Sequence, residues 1–334
     1  MTKRERLAAT IAGRPVDRLP VALWRHFFVE ETSREGLVEA MARWQRTYDW
    51  DFLKINPRAG YHVEDWGNRY EHSGREHVPP TLVHCRIHAP EDFRKLERLT
   101  VGDAGAAPVL AQQLAAVADL RKALGPDVPM LMTVFTPMSI AADLAGGPQD
   151  LAALIAADPR AVHAGLRTIT DTFADFAARC VAAGADGIFL ATTHVATWAN
   201  FTPEQYEEFG RPYDLEVLAA ARAAPLNLLH VCKAQAFVRE LADYPAALLN
   251  WDTAEPSNPG LADMIGLAGG KALVGGLNRR LFVEPGGKES LLRQARAARD
   301  AMAGRPFVLG STCTIDTHAD PGAVRAVREF VEHV

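Results

Sequence analysis

The stretch DTFADFAARCVAAGADGIFLATTH, residues 171–194, decides the fold. Its first half repeats apolar residues at three- and four-residue spacing among alanines, which predicts a helix with one buried stripe. Gly184 punctuates it. GIFLAT (187–192) then runs apolar without alternation, as a strand buried on both faces does, and ends in the polar pair Thr193-His194. A helix feeding a doubly buried strand is half of a parallel βαβ unit.

Working outward, the same rhythm recurs along the chain. Short apolar runs at PVALW (20–24), DFLKI (51–55), MLMTVF (130–135), GIFLAT (187–192), NLLHV (227–231), AALLNW (246–251), ALVGGL (272–277) and PFVLG (306–310) are eight strand candidates. Eight parallel strands close a barrel. Between them lie helical stretches, as in LAALIAADPRAVHAGLRTITDTFADFAARCVAAG (151–184), where DPR separates two helices. The pattern predicts an α/β fold, a (β/α)8 TIM barrel, with residues 1–334 as one domain. The histidine-rich segment 60–89, with its Pro79-Pro80, breaks the rhythm and reads as an inserted hairpin or long loop.

Composition narrows the function. The net charge is −5 and the sequence pI is about 6.1, and no Lys/Arg run marks a nucleic-acid or anionic-membrane surface. The sequence lacks both an apolar stretch of the roughly 18 residues that a membrane span needs and a hydrophobic segment after its first residues. A cytoplasmic protein is expected, and a homodimer is left open. Four cysteines in 334 residues make no disulfide framework, so they are expected as free thiols.

In a barrel of this kind, function gathers at the C-terminal ends of the strands. The polar residues just past the eight runs are Arg25-His26, Asn56, Thr136, Thr193-His194, His230 with Cys232, Asp252, Asn278 and Cys313. His230 and Cys232 stand two apart and share a strand face if the strand continues through Val231. Cys313, after the eighth run, lies at the same end of the barrel. Imidazole and thiolate are good zinc ligands, so His230, Cys232 and Cys313 are the candidate metal and catalytic set. The plain alternative is that the cysteines pack as small apolar side chains and the histidine is hydrogen-bonded in place. Cys85 and Cys180 read as packing. Arg25, His26 and Asn278 are candidates to position a substrate anion, and Asp252 and Glu255 to support His230 or fill an open metal position. A second metal site among His62, His72, His77, His84 and His88 is a lesser option. DTHADPG (316–322) reads as the cap of the last helix.

Seven segments together resemble the uroporphyrinogen decarboxylase superfamily: RPVDRLPVALW (14–24), DWDFLKINPRAGYHVEDWG (49–67), AGADGIFLATT (183–193), FTPEQYEEFGRPYDLEVL (201–218), LLHVCKAQAFVRELADYPAALLNWD (228–252), VGGLNRR (274–280) and VLGSTCTIDTHADPGAVRAVREFVE (308–332). The resemblance runs in order over nearly the whole chain and implies a distorted (β/α)8 barrel. True decarboxylases of the superfamily carry an arginine-rich RQAGR segment and an FSDI segment whose aspartate faces the pyrrole NH groups. Here ALWRHFFVEE (22–31) and KINPRAGYHVEDWG (54–67) stand at those places. The zinc-dependent branch, similar to methylcobamide:coenzyme M methyltransferase, carries a His-x-Cys at the fifth strand and a Cys after the eighth. His230, Cys232 and Cys313 match those positions. That resemblance implies a methyl group moving from a corrinoid, carried on a separate protein, to a small-molecule thiol acceptor on Zn2+. Lys233 departs from it, since the branch has Gly there. Decarboxylation of a porphyrinogen and a non-catalytic zinc-binding barrel are the alternatives.

Overall fold

The computed structural model describes residues 1–333. Eight parallel strands form the central sheet: β1 (Val21–Ala22), β2 (Leu53–Ile55), β5 (Met130–Phe135), β6 (Gly187–Ala191), β7 (Leu228–Val231), β8 (Leu248–Trp251), β9 (Ala272–Leu277) and β10 (Phe307–Ser311), with β3 and β4 lying outside it. Their order, β1-β10-β9-β8-β7-β6-β5-β2, is that of a (β/α)8 barrel with β1 and β2 meeting at the seam. The seam carries no ladder. A backbone bond from Asp51 N–H to Val21 O at 3.0 Å closes it, and the Asp51 carboxylate accepts from Val21 N–H at 2.7 Å. All eight predicted runs are strands, the first trimmed to two residues.

The unbroken apolar runs follow from burial on both strand faces. On β6, Phe189 and Ala191 join Trp24, Phe52, Leu131, Leu228, Leu248 and Val274 inside the barrel, while Ile188 and Leu190 face the helices. By the same alternation Leu228 and His230 share the inward face of β7 and Leu229 turns outward. A large apolar side chain buried this completely contributes about 1.5–3 kcal/mol relative to exposure.

The helix predicted before β6 runs Pro159–Ala182, and the preceding one Pro148–Ala157; Asp158 between them caps the second through Ala161 N–H at 3.0 Å. Asp320 likewise caps the final helix, Pro321–Phe330, so DTHADPG is the cap it resembles. Two crossovers are not helical as the rhythm predicts: β7 reaches β8 through turns, and β8 reaches β9 through the single helical turn Leu261–Met264. The inserted segment is an antiparallel hairpin, β3 (Arg69–Glu71) with β4 (Thr81–His84), after the helical turn Tyr61–Glu64. Among the described residues no helix is long and apolar enough to cross a membrane.

Candidate metal centre at the barrel mouth

His230, Cys232 and Cys313 converge where the fifth and eighth barrel strands, β7 and β10, end, their ligand atoms all within 4.8 Å of one another. His230 Nε2 lies 3.6 Å from Cys313 Sγ, and Cys313 Sγ lies 3.8 Å from Cys232 Sγ. A tetrahedral ion with Zn–S near 2.3 Å and Zn–N near 2.0 Å spaces its ligands by about 3.8 Å (S to S) and about 3.6 Å (N to S). The residues therefore fit zinc in donor chemistry and in spacing. Among the described residues this is the one group of three or more metal-binding side chains brought together, and the hairpin histidines form no such group.

The imidazole is oriented from behind. Asn250 Nδ2 donates to Val274 O at 2.8 Å and Ser311 O at 3.1 Å, which fixes the amide with Oδ1 facing His230. His230 Nδ1–H then donates to Oδ1 at 2.6 Å, leaving the Nε2 lone pair toward the thiols. The Cys232 S–H donated to Cys313, with His230 alongside, holds Cys313 well below the usual thiol range against the effect of burial, while the same bond and burial push Cys232 up. Cys313 is thus the first to be thiolate.

These side chains line a cavity of about 300 Å³ together with Trp24, Phe135 and Phe189 on its apolar walls. Lys54 also lines it, pointing inward from β2 over the Phe189 ring at 4.7 Å and donating to Asn56 Oδ1 at 3.1 Å. Burial pushes the Lys54 ammonium down to about 7, against the pull of Cys313, Glu31 and Cys232. Asn56 Nδ2 is buried with no partner. Asp143 lines the cavity too, accepting from His62 Nε2 at 2.7 Å and lying 3.3 Å from His194 Nε2. Burial raises the Asp143 carboxyl, but the two imidazoles outweigh it and hold the group well below the usual carboxylate range.

A model of the uroporphyrinogen decarboxylase (URO-D) family matches residues 71–334. The chain belongs to that family. Two relatives named uroporphyrinogen decarboxylase, from Rhodococcus jostii (strain RHA1) and Rhodococcus opacus (strain B4), are each 30% identical over 253 residues, which is 72% of this chain and 67% of each of them. Among solved structures, a methyltransferase from Methanosarcina mazei superposes with a TM-score of 0.84 at 20% identity over 100% of this chain and 99% of its own. A B12-independent methionine synthase from Shewanella sp. W3-18-1 follows at 0.56 and 12% identity, over 94% and 93% of the two chains. Both share the fold.

For this URO-D family member the predicted substrate residues divide. His26 lines the cavity, with its Nδ1 2.9 Å from Glu31 Oε2. The other four do not line it. Arg25 lies over the Phe27 ring and reaches Glu76 of the hairpin; Asn278 caps the turn at Arg280 N–H. Asp252 and Glu255 spend their carboxylates on their own turn, accepting from Ala254 N–H and from the Ser257 hydroxyl, so neither backs His230. That role belongs to Asn250, which sits inside an apolar run with no polar neighbour to flag it. Lys54 was hidden in the run DFLKI in the same way, and Asp143 and His62 are 81 residues apart. His194 and Asn56 had a signal: each follows a strand.

Proposed function

We propose that this chain is a zinc-dependent methyltransferase that passes a methyl group to a thiol acceptor held at His230, Cys232 and Cys313. The donor is a corrinoid on a separate protein, or another activated methyl carrier. One observation carries the reading: three ligand atoms converge within 4.8 Å, Cys313 at tetrahedral spacing from each of the other two, and, among the described residues, no fourth His, Cys, Asp or Glu joins them. Structural zinc sites close with four protein ligands, whereas catalytic ones keep a position free. Zinc bound there supplies a Lewis acid that keeps a thiol as its nucleophilic thiolate near neutral pH.

The chain's own residues do the rest. Asn250 fixes the His230 tautomer and ring plane. Cys232 and Cys313 bring negative charge to the centre, which leaves an acceptor sulfur electron-rich enough to attack a methyl carbon. Trp24 and Phe189 form apolar walls, and of the cations that line the cavity Arg58 is paired with Glu64 at 2.7 Å, which leaves Lys233 and Lys54 to meet an anionic group. The shared fold with a methyltransferase from Methanosarcina mazei agrees with this reading.

The names of the Rhodococcus relatives favour porphyrinogen decarboxylation as the second reading. Against it, Lys54 and Asn56 occupy the strand end where a pyrrole-facing aspartate is needed, and the cavity presents few cations to a molecule with many acidic side chains. The test is metal analysis of protein purified without added zinc, followed by incubation with methylcobalamin and 2-mercaptoethanol. About one equivalent of zinc, lost in Cys232→Ala, with formation of the methyl thioether, supports the methyltransferase. Less than about half an equivalent, unchanged by the substitution, removes it. Product formed from uroporphyrinogen by metal-stripped protein establishes the decarboxylase instead.

A further inference from the structure

Three side chains from distant parts of the chain make a second constellation, two of them, Asp143 and His194, on the lining of the same cavity. Asp143 ends the helix Pro137–Ala145, His62 sits in the helical turn before the hairpin, and His194 follows β6. The Asp143 carboxylate meets no Lys or Arg; its two oxygens face the two imidazoles. The two contacts differ. His62 Nε2 to Oδ2 is 2.7 Å, the length of a charge-assisted bond, whereas His194 Nε2 to Oδ1 is 3.3 Å. His62 is buried under Phe135 with Nδ1 unpartnered, so it has no path to the cavity. His194 is about a quarter exposed and lines the cavity beside Asp143.

The loop that carries His194 is held in place. Thr193 adopts a left-handed φ of 46°, and Asn200 Nδ2 donates to the His194 carbonyl at 2.7 Å. Thr192 N–H donates to the carbonyl of His230 at 3.0 Å, so this loop and the metal centre share one strand pair. A non-glycine residue in the left-handed region costs on the order of 1–3 kcal/mol, and such strain gathers where a side chain must be aimed. Here it aims an imidazole whose buried Nε2 has no hydrogen-bond partner and approaches the partly buried Asp143 carboxylate at 3.3 Å, close to the histidine–carboxylate arrangement of a general base.

We propose that His194 accepts the proton that the acceptor thiol gives up in this cavity, directly or through one water, with Asp143 and His62 as positioning residues. The inference rests on the methyltransferase reading above. The S–H bond breaks with its electron pair left on sulfur, and the proton passes to His194, whose imidazolium is then stabilised by Asp143. The sulfur pair forms the new S–CH3 bond, and the donor leaves with the pair of the old methyl bond. His62 stays hydrogen-bonded to Asp143 Oδ2 and takes no part in the transfer. Lys54, Arg58, Lys233 and His26 also face this space, so the count of protons, rather than a pH optimum alone, identifies the acceptor.

The experiment is a proton count. Zinc-loaded protein is titrated with 2-mercaptoethanol by calorimetry at pH 7 in buffers of different ionisation enthalpy, which yields the protons released to solvent per thiol bound. For the wild type the expected release is well under half a proton, because His194 retains it. His194→Gln is expected to bind the thiol and release close to one, and Asp143→Asn to fall between. A wild type that releases a full proton overturns the proposal without recourse to any variant, and so does equal release from the wild type and His194→Gln. No thiol binding by the zinc-loaded wild type is a different failure, since it removes the methyltransferase reading on which this one stands.

Discussion

At the scale of single residues, the centre depends on a neighbour that touches no metal. Asn250 holds His230 Nδ1–H at 2.6 Å and is itself held by two carbonyls. Removing such a partner typically lowers metal affinity 10- to 100-fold. Asn250→Ala is expected to weaken zinc binding by that range in a chelator competition, with Cys232 and Cys313 intact; unchanged affinity would show that His230 needs no orienting bond. Lys233 is the other informative residue. The resemblance implies Gly at this position, and the backbone explains why: φ here is 78°, the left-handed region that favours glycine. Lys233→Gly should therefore stabilise the protein, by about 1 kcal/mol. For a chain of this length that is about 1–2 °C in Tm. The same change removes a cation from the cavity, so binding of an anionic acceptor should weaken as Tm rises. A fall in Tm would mean that the lysine side chain contributes more to the fold than its strain costs.

At the scale of elements, the strands were legible and the seam was not. Runs such as GIFLAT and ALVGGL read as strands because both faces are buried, and the alternation that puts Leu228 inside also puts His230 inside. Nothing comparable announces how β1 meets β2, because that junction rests on one residue, Asp51, through its backbone N–H and its carboxylate. Asp51, fully buried, accepts from Arg6 Nη1 at 2.6 Å, from Arg18 Nη1 at 2.8 Å and from Val21 N–H. It binds the N-terminal helix Lys3–Ile11 and both seam strands together. Removing one member of a buried ion pair leaves the others uncompensated and costs about 3–5 kcal/mol. Asp51→Ala should lose that much in denaturant unfolding, with the early hydrogen-exchange openings appearing in β1 and β2. A loss below about 1 kcal/mol would mean that the barrel closes without this junction. The turns that replace helices after β7 and β8 escaped the sequence for the opposite reason: AFVREL has helical composition, but Phe237, Val238 and Leu241 are pinned individually into the core.

For the molecule as a whole, what the sequence hid was contact between distant residues. His230 and Cys232 announced themselves by local spacing and Cys313 by its place after the last strand, but Asp143 and His62 meet only because the helical turn Tyr61–Glu64 packs on the helix Pro137–Ala145. Asp214 is a further case, and its ionisation adds a pH-dependent term to the stability of the whole protein. It is fully buried on the helix Arg211–Ala220, where the hydroxyls of Tyr206 and Tyr244 donate to Oδ2 at 2.7 and 2.8 Å and Oδ1 has no partner. Burial outweighs those two donors and nearby Arg211, and raises the carboxyl to about 7 from an ordinary 3.8. Between those values the folded protein keeps a proton that the unfolded chain has lost. The stabilisation is complete below about pH 4 and is lost as pH rises through about 7. An amide cannot ionise, so Asp214→Asn serves as the reference. Its unfolding free energy minus that of the wild type should climb between pH 4 and pH 7 and level off above, by a few kcal/mol in total. Urea unfolding of both proteins across that range measures the difference directly, and parallel profiles would show that Asp214 ionises in the folded state as readily as in the unfolded chain.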